Sequence, residues 1–351
     1  MQSQTLTEIL QQPAAWRAAI EHMNEAQDDI HEYLQHKAGS EVVFIGCGTS
    51  YYLALSAASI FSTIANRKAR AVPSSDVFLF PESIFTSPGD YLAVLISRSG
   101  KTTETKWAAT YLKEKLNIET LALTCYPSND LVEICDRSLV ARGAIEHSVV
   151  MTKSFTSMLL ICALMACLAV KSLAVHADIV KLPDLAASLL KSHSKTLQQM
   201  AAQLSLKNFV FLGQGPFYGI ACESMLKMKE MTISMSEAYH VLEYRHGPMA
   251  IVDKNTLVTL FFSSQGISQE EALLADVQRL GAKTLALCDT PTQTILNTAD
   301  LVVEINSGVP DAFRTLLFMV VAQLFSFYRA EAKGINPDTP RHLSQVVMLE
   351  E

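Results

Sequence analysis

The sequence lacks the excess of positive charge with which proteins hold a nucleic-acid backbone. Its 351 residues include 28 Lys and Arg against 35 Asp and Glu, a net charge of −7. Because binding to phosphate backbones depends on clustered cations, we expect no nucleic-acid partner. The 49% hydrophobic and 18% charged residues are ordinary for a folded protein. A sizeable core, in two domains or one large body, is therefore expected.

Paired cysteines and metal-ligand spacings are also missing. The seven cysteines are odd in number, scattered and never in a CxxC pair, which predicts buried free thiols in a reducing cytoplasm. No histidine or carboxylate pair has a spacing such as HxxxH, so the sequence predicts no metal site and no cofactor. A GxSxG nucleophile elbow is absent too.

Neither a targeting segment nor a clear membrane span is visible. The N-terminus carries Glu8 and has no basic start and no apolar run, from which we expect neither a secretory signal nor a transit peptide. Residues 154–170 are uncharged, between Lys153 and Lys171, but they fall short of the roughly 20 that a spanning helix needs. We expect a buried core helix there, no membrane partner, and a cytoplasmic protein.

An internal repeat organises the chain. VVFIGCGTSYYLA (42–54) aligns with FVFLGQGPFYGIA (209–221) at an offset of 167. Further on, YLAVLISRSG (91–100) matches LVTLFFSSQG (257–266). Each copy alternates apolar strands with helices, as in a parallel sheet covered on both faces. The predicted fold is α/β, with two doubly wound parallel-sheet units in tandem.

The predicted organisation has five segments. They are an N-terminal helical extension (1–38), a first unit (39–171), a connecting helix (172–205), a second unit (206–333) and a tail (334–351). In open parallel sheets, ligands bind beyond the carboxyl ends of the strands. The loops that follow the predicted strands are therefore the places to look for chemistry.

One loop of the first unit has the composition of a phosphate site. SRSGKTT (97–103) offers hydroxyls, a glycine and two cations where a strand runs into a helix, which suits an anion. The same residues are typical of a turn and helix cap, with Glu104 in the first turn, and the pattern leaves both open. GCGTS (46–50) lacks the third glycine of a dinucleotide fingerprint, so no nicotinamide cofactor is predicted.

The equivalent loops of the second unit differ. The loop 213–216 has lost the Thr-Ser pair, and the loop 263–266 is followed by isoleucine instead of threonines. We therefore expect the second unit to have lost the phosphate site.

The second unit instead carries a run of charged residues. Helical spacing puts Glu223, Lys227 and Glu230 on one face, either as a solvated ion-pair ladder or on a partly buried helix, since Met and Leu flank them. His246 precedes Gly-Pro and is expected in a turn instead of on an apolar helix face.

Taken together, these motifs resemble the tandem sugar isomerase (SIS) domain family, especially the isomerase half of glucosamine-6-phosphate synthase and its stand-alone relatives. The resemblance covers about residues 40–351 and rests on six ordered motifs, GCGTS, SRSGKTTET, SVVMTKSFT, ESMLKMKEM, SEAYHVLEYRHGPMA and INPDTPRHLSQ. It implies a flavodoxin-like fold for each unit and a hexose 6-phosphate as ligand.

The resemblance also implies roles for individual residues. The substrate-binding residues that it implies are Cys47, Gly48, Thr49, Ser50, Ser97, Arg98, Ser99, Thr102, Val149 and Ser344. Glu230 is implied to move a proton between C1 and C2 of the sugar, and His246 to open its ring from the second subunit of a homodimer. Both roles suit the chemistry of a carboxylate and an imidazole.

Two departures from the synthases narrow the expected reaction. The chain starts without a glutaminase domain, so we expect no release of ammonia from glutamine. Gln345 stands where the synthases have a lysine that forms a Schiff base with the ketose, and an amide is not a nucleophilic amine. We therefore predict a glucosamine-6-phosphate deaminase that forms fructose 6-phosphate and ammonia.

Four alternatives stay open. The first three use the same site: a galactosamine-6-phosphate deaminase, a fructosamine-6-phosphate deglycase and a plain aldose–ketose isomerase. The fourth is a sugar-phosphate sensor without catalysis, although the sequence shows no helix-turn-helix or basic segment that would serve as its output module.

Overall fold

The computed structural model describes residues 3–86 and 91–349. Residues 1–2, 87–90 and 350–351, which include the ends of the predicted extension and tail, lie outside the described residues. The chain divides into two compact units. The N-terminal unit comprises Gln11–Pro183 and the tail from Ser344, and the C-terminal unit comprises Asp184–Leu343 and a first helix, α1 (Gln4–Leu10).

The N-terminal unit is built on a five-stranded parallel sheet. Its strands are β1 (Glu41–Gly46), β2 (Ala69–Pro73), β3 (Tyr91–Ile96), β4 (Glu119–Thr124) and β5 (Arg137–Val140). The helices are α2 (Gln12–Glu25), α3 (Gln27–His36), α4 (Thr49–Ala65), α5 (Ser74–Leu79), α6 (Thr103–Tyr111), α7 (Asp130–Ile134) and α8 (Lys153–Val170). A further helix, α9 (Leu173–Ser192), runs across the boundary between the units.

The C-terminal unit repeats this architecture. Its strands are β6 (Asn208–Gly213), β7 (Met235–Tyr239), β8 (Thr256–Phe261), β9 (Lys283–Cys288) and β10 (Leu301–Glu304). Its further helices are α10 (Ser194–Ala201), α11 (Phe217–Thr232), α12 (Ile267–Arg279), α13 (Gln293–Thr298) and α14 (Asp311–Ala332). The predicted α/β fold with two parallel-sheet units is thus confirmed.

The register of the two sheets reproduces the sequence repeat. Phe44 of β1 lies opposite Ala71 and Val94, and its repeat partner Phe211 of β6 lies opposite Ala238 and Thr259. All residues of β3 and of β8 are buried. Such unbroken apolar strands are expected where helices cover both faces of a parallel sheet.

The order of the strands shows where the crevice for a ligand lies in each unit. The orders are β2-β1-β3-β4-β5 and β10-β9-β8-β6-β7, so both sheets have the flavodoxin-like arrangement. The direction of progression reverses between β1 and β3 in the first sheet, and between β6 and β8 in the second. Ligands of doubly wound sheets bind at this switch point, beyond the carboxyl ends of the strands.

Two helices of the described residues, α8 and α14, are long and apolar enough to cross a membrane. The most apolar windows of the two helices are 94% and 83% buried inside the fold, respectively. Residues 154–170 therefore form the buried helix that the sequence predicts. All seven cysteines are free thiols, and six are buried, whereas Cys47 is half-buried.

Candidate active site

The predicted phosphate loop, residues 97–103, is held in shape by hydrogen bonds to its own side-chain hydroxyl groups. It connects β3 to α6 at the switch point of the first sheet. The Gly100 N–H donates to Ser97 Oγ at 3.1 Å, and Ser97 Oγ lies 3.2 Å from Thr102 Oγ1. The Lys101 N–H donates to Ser99 Oγ at 3.1 Å. Predicted residues Ser97, Ser99 and Thr102 therefore share one compact turn before a helix N-terminus, where an anion is favoured.

The alternative of a simple helix cap does not describe this turn. Thr102 occupies the N-cap of α6, but among the described residues its side chain makes no capping hydrogen bond. The side chain is instead paired with Ser97. The Thr102 side chain thus does not satisfy the N–H groups of the first turn of α6.

Gly100 is required by close packing. It has φ of +68°, and a Cβ atom there would lie 1.8 Å from Asn129 Oδ1. That oxygen is fixed because it accepts from the Val132 N–H and caps α7. The phosphate loop is therefore pressed against α7 through a position that only glycine fills.

The second predicted loop lies beside the first, because β1 and β3 are neighbours in the sheet. Gly48 has φ of +52° and leads into α4, whose first residues, Thr49 and Ser50, are buried. Cys47 Sγ lies 3.8 Å from Thr105 Oγ1 on α6. Burial raises the pKa of the Cys47 thiol, so this sulfur is a packing group and not a thiolate nucleophile.

Arg98 was predicted to contact the phosphate of a ligand, but its side chain contacts groups of its own unit. Its side chain is 6% exposed, and its guanidinium donates to the carbonyls of Ser148, Val149 and Gln345 at 2.7–3.1 Å. It also lies 3.5 Å from the buried carboxylate of Glu146. The charge predicted to face a phosphate is thus used inside the unit, where it positions the Val149 loop and the tail. The other predicted cation of the loop, Lys101, is exposed.

Glu146 is a site residue that the sequence analysis missed. Its fully buried carboxylate accepts from the N–H and the hydroxyl of Thr152 at 2.7 Å each, and from the Ser154 hydroxyl. Buried charges persist only where such partners satisfy them. The signal in the sequence was a lone carboxylate followed six and eight positions later by hydroxyl residues. Glu146 and Arg98 together hold the loop that carries half-buried Val149.

The tail lies along the phosphate loop within the same unit. Val347 O accepts from the Thr103 N–H at 3.5 Å, and the Leu349 N–H donates to Thr103 Oγ1 at 3.1 Å. Gln345, at the place of the synthase lysine, donates its amide to the carbonyl of Glu146 at 3.0 Å. Ser344 is exposed, and its hydroxyl bonds to Val346 O.

In the C-terminal unit, helix α11 carries a buried ion-pair network. Lys227 Nζ lies 3.1 Å from Glu223 Oε1 and also pairs with Glu230. The side chains of Glu223 and Lys227 are 0% exposed, and that of Glu230 is 16% exposed. Burial disfavours the ammonium, but the two carboxylates hold the pKa of Lys227 above its usual value. The alternative of a solvated ladder is therefore wrong, and Glu230 is the one accessible end of the network.

His246 lies in the turn that the sequence predicts. It ends a short 3₁₀ segment, Glu243–Arg245, and its side chain is exposed on the unit. Arg245 anchors the segment through two bonds to Asp276 Oδ2, at 2.6 and 3.0 Å. The turn thus presents an imidazole from a fixed backbone.

In the loop after β8, the serine N–H and hydroxyl groups donate to carboxylates of the same unit. The N–H and hydroxyl of Ser263 donate to Glu270 at 2.8 Å, and those of Ser264 donate to Asp311 at 2.9 Å. Burial raises the pKa of Glu270 to about 7. Donors that could hold a phosphate are therefore already used in this copy.

Over the described ranges, 3–86 and 91–349, no group of three or more His, Cys, Asp or Glu side chains could hold a metal ion. The predicted sugar and phosphate residues belong to the N-terminal unit, and Glu230 and His246 belong to the C-terminal unit.

Solved structures of other proteins share this architecture. A solved glucosamine-6-phosphate deaminase from Thermotoga maritima is 31% identical, with a TM-score of 0.80 over 99% of this chain and 100% of that chain. A solved protein from Clostridium novyi NT, provisionally described as a tagatose-6-phosphate ketose/aldose isomerase, is 27% identical, with a TM-score of 0.89 over 99% and 94% of the two chains.

A curated glutamine–fructose-6-phosphate aminotransferase (isomerizing) from Pyrobaculum aerophilum is 27% identical over 98% of this chain. The alignment takes in 57% of that relative, so this chain spans little more than half the length of the curated relatives it matches. The SIS domain model matches residues 36–168 and 205–330, once in each sheet-bearing unit. Since these two matches account for well over half of the sequence, the chain belongs to the SIS domain family.

Proposed function

We propose that the protein is a glucosamine-6-phosphate deaminase, which converts glucosamine 6-phosphate and water to fructose 6-phosphate and ammonia. The observation that carries the proposal is the Glu230 carboxylate, partly exposed and held by a fully buried lysine. A proton-transfer base needs a fixed, accessible carboxylate of this kind. The 31% identity with the Thermotoga maritima deaminase, over essentially the whole of both chains, supports the choice of substrate.

The phosphate group would bind at the turn before α6. Ser97, Ser99 and Thr102 supply hydroxyl donors, and the helix N-terminus supplies N–H groups and the positive end of its dipole. Thr49 and Ser50 join them from the neighbouring loop. Arg98 acts indirectly, because its guanidinium fixes the Val149 carbonyl and so the strip of chain that lines the sugar.

Glu230 would carry out the proton transfer. In the open-chain aldehyde, its carboxylate takes the proton from C2 and the resulting carboxylic acid delivers it to C1. A second proton leaves the amine nitrogen and is gained by O1 through solvent, so that the C1 aldehyde becomes a hydroxymethyl group and the C2 amine becomes an imine. Water then adds to C2 and ammonia leaves, which gives the ketone of fructose 6-phosphate. Lys227 pairs with Glu230 and orients its carboxyl group for these steps.

His246 would open the pyranose ring by moving a proton between the anomeric hydroxyl and the ring oxygen. Its exposure on the unit is compatible with service to a site on a second copy of the chain, and we include a homodimer in the proposal. Mixing Glu230→Gln with His246→Ala protein tests this. Activity recovered in the mixture supports a shared site, and no recovery argues against it.

A glutamine at position 345 favours hydrolysis of the imine by water over formation of a Schiff base between protein and ketose. Its amide donates to a backbone carbonyl and has no nucleophilic amine to offer to a ketose. An aminosugar brings its own nitrogen, so the deamination direction needs no such amine. Seven free thiols are consistent with our proposal of a cytoplasmic site of action.

A substrate panel tests the proposal. The purified protein is incubated separately with glucosamine 6-phosphate, galactosamine 6-phosphate and glucose 6-phosphate, and ammonia and ketose phosphate are followed together. We expect equal release of ammonia and fructose 6-phosphate from the first compound. Ketose formation from glucose 6-phosphate without nitrogen release would favour a plain isomerase, the reaction class that the Clostridium novyi match suggests.

A further inference from the structure

A cavity of about 500 Å³ lies in the C-terminal unit, away from the predicted site residues. It opens where β6 and β7 begin, at Asn208 and Met235. This is the amino edge of the sheet, opposite the carboxyl edge at which the loop 214–216 lies. Its volume falls within the roughly 300–1,000 Å³ range of small-molecule sites.

Three cations line this cavity, Lys207, Arg329 and Lys333. Among the described residues, no Asp or Glu does so. Burial lowers the pKa of Lys333, and the positive charges of Arg329 and Lys207 lower it further. In a chain with a net charge of −7, three cations without a carboxylate are a local concentration of positive potential.

Arg329 is the buried cation of this cavity. Its side chain is 2% exposed, and its Nη atoms donate to the carbonyls of Ala201, Gln203 and Leu206 at 2.7–2.9 Å. Its Nε is buried and has no hydrogen-bond partner among the described residues. Carbonyl groups and the Phe209 ring, whose centroid lies 5.2 Å from the guanidinium carbon, stabilise the guanidinium but do not neutralise it, so the buried charge has no carboxylate partner among the described residues.

The rim of the cavity is apolar. Leu204, Ile233 and Met235 line it and are 52%, 46% and 72% exposed. Lys333 fixes one side, because its Nζ donates to the carbonyls of Thr232 and Ile233 at 2.6 and 3.3 Å, at the end of α11, and to Ser234 Oγ at 3.0 Å. A ligand that matches these features carries two or more negative charges at one end and an apolar or aromatic group at the other.

We propose that this cavity binds an organic diphosphate of the nucleoside diphosphate class. The phosphates would bind the ammonium of Lys207, while Arg329 and Lys333, whose donors bond within the unit, would contribute their positive charge, and the base would cover the apolar rim. A membrane surface is disfavoured because Arg329 lies at the buried floor, out of reach of a flat bilayer. The site is independent of the deaminase reaction, since it contains none of the residues placed in that reaction.

Calorimetric titration of the full chain with ADP tests the proposal. We expect saturable binding, weaker by at least about tenfold in Lys207→Glu, since that change reverses a charge beside the phosphates. The Lys207 side chain is exposed, and the hydrogen bond of Lys207 to the Asn255 carbonyl comes from its backbone N–H, which the substitution retains, so the variant should fold. Lys195→Glu, an equal change at an exposed lysine of α10, should stay within about twofold. Inorganic phosphate should bind more weakly than ADP, because it leaves the apolar rim uncovered.

Several results would overturn the proposal. They are no ADP binding at millimolar concentration, an equal loss in Lys207→Glu and Lys195→Glu, or a loss in Ser97→Ala, which would place the nucleotide in the sugar-phosphate loop. Sedimentation with phosphatidylglycerol vesicles that depends on Lys207, without ADP binding, would point to a lipid surface instead. Failure of the deaminase assay would leave these results unaffected.

Discussion

Lys227 and Glu223 lie 3.1 Å apart on helix α11, and neither side chain has any exposed surface. They are one helical turn apart, and Glu230 lies on the same face one turn further on. An isolated charge at such depth would be expelled or neutralised. The buried pair therefore holds the accessible Glu230 carboxylate in place through the ion pair between Lys227 and Glu230.

Removal of the lysine should destabilise the fold. Lys227→Met leaves the Glu223 carboxylate buried without its cation, and we expect a loss of about 3–5 kcal/mol in the free energy of unfolding. The double variant Glu223→Gln/Lys227→Met removes both charges and should regain part of that loss. Urea unfolding followed by circular dichroism measures both, and an unchanged midpoint in Lys227→Met would show that the pair is not coupled.

The phosphate loop should not tolerate a side chain at position 100. Gly100→Ala forces a Cβ onto Asn129 and keeps φ at +68°, so we expect a loss of about 1–3 kcal/mol in stability and a higher KM for the phosphosugar. Gly39→Ala is the matched control, because Gly39 has open space around it and an ordinary φ. Equal KM values for the two variants would show that this loop does not bind the phosphate of the substrate.

Stability should fall as pH rises through the titration of Glu270. Burial raises the pKa of this carboxyl from an ordinary 4.5 to about 7, so the folded state binds the proton more tightly than the unfolded state. The stabilisation from protonation is complete below pH 4.5 and is lost as pH rises towards 7 and above. Glu270→Gln mimics the protonated group and should have a flatter profile of melting temperature between pH 5 and 8. Parallel profiles would refute the assignment.

The fold was predictable because its signals are local and repeated. Apolar runs such as YLAVLI, which forms β3, and the 167-residue offset between Phe44 and Phe211 require no knowledge of distant contacts. The hydroxyl turn of Ser97 and Thr102 was predictable for the same reason, since strand, turn and helix are consecutive in sequence. Side-chain geometry, which the sequence does not report, shows that Thr102 makes no capping hydrogen bond, and anion binding at this turn stays a prediction.

The surroundings of Arg98 were not predictable, because its contacts join residues far apart in the chain. Arg98 was expected to offer its charge to a ligand, yet its partners are Glu146 and carbonyls as distant as that of Gln345. On α11 the spacing of Glu223 and Lys227 was visible in the sequence. Their burial depends on the elements packed around the helix, which spacing does not report.

The most direct test of the account compares Glu230→Gln with wild type on glucosamine 6-phosphate, with ammonia and fructose 6-phosphate measured together. If Glu230 transfers the C2 proton, the variant should lose at least about 10²-fold in kcat, while Glu331→Gln, at an exposed carboxylate of α14, should match wild type. A folded Glu230→Gln protein that releases both products at the wild-type rate would contradict the account.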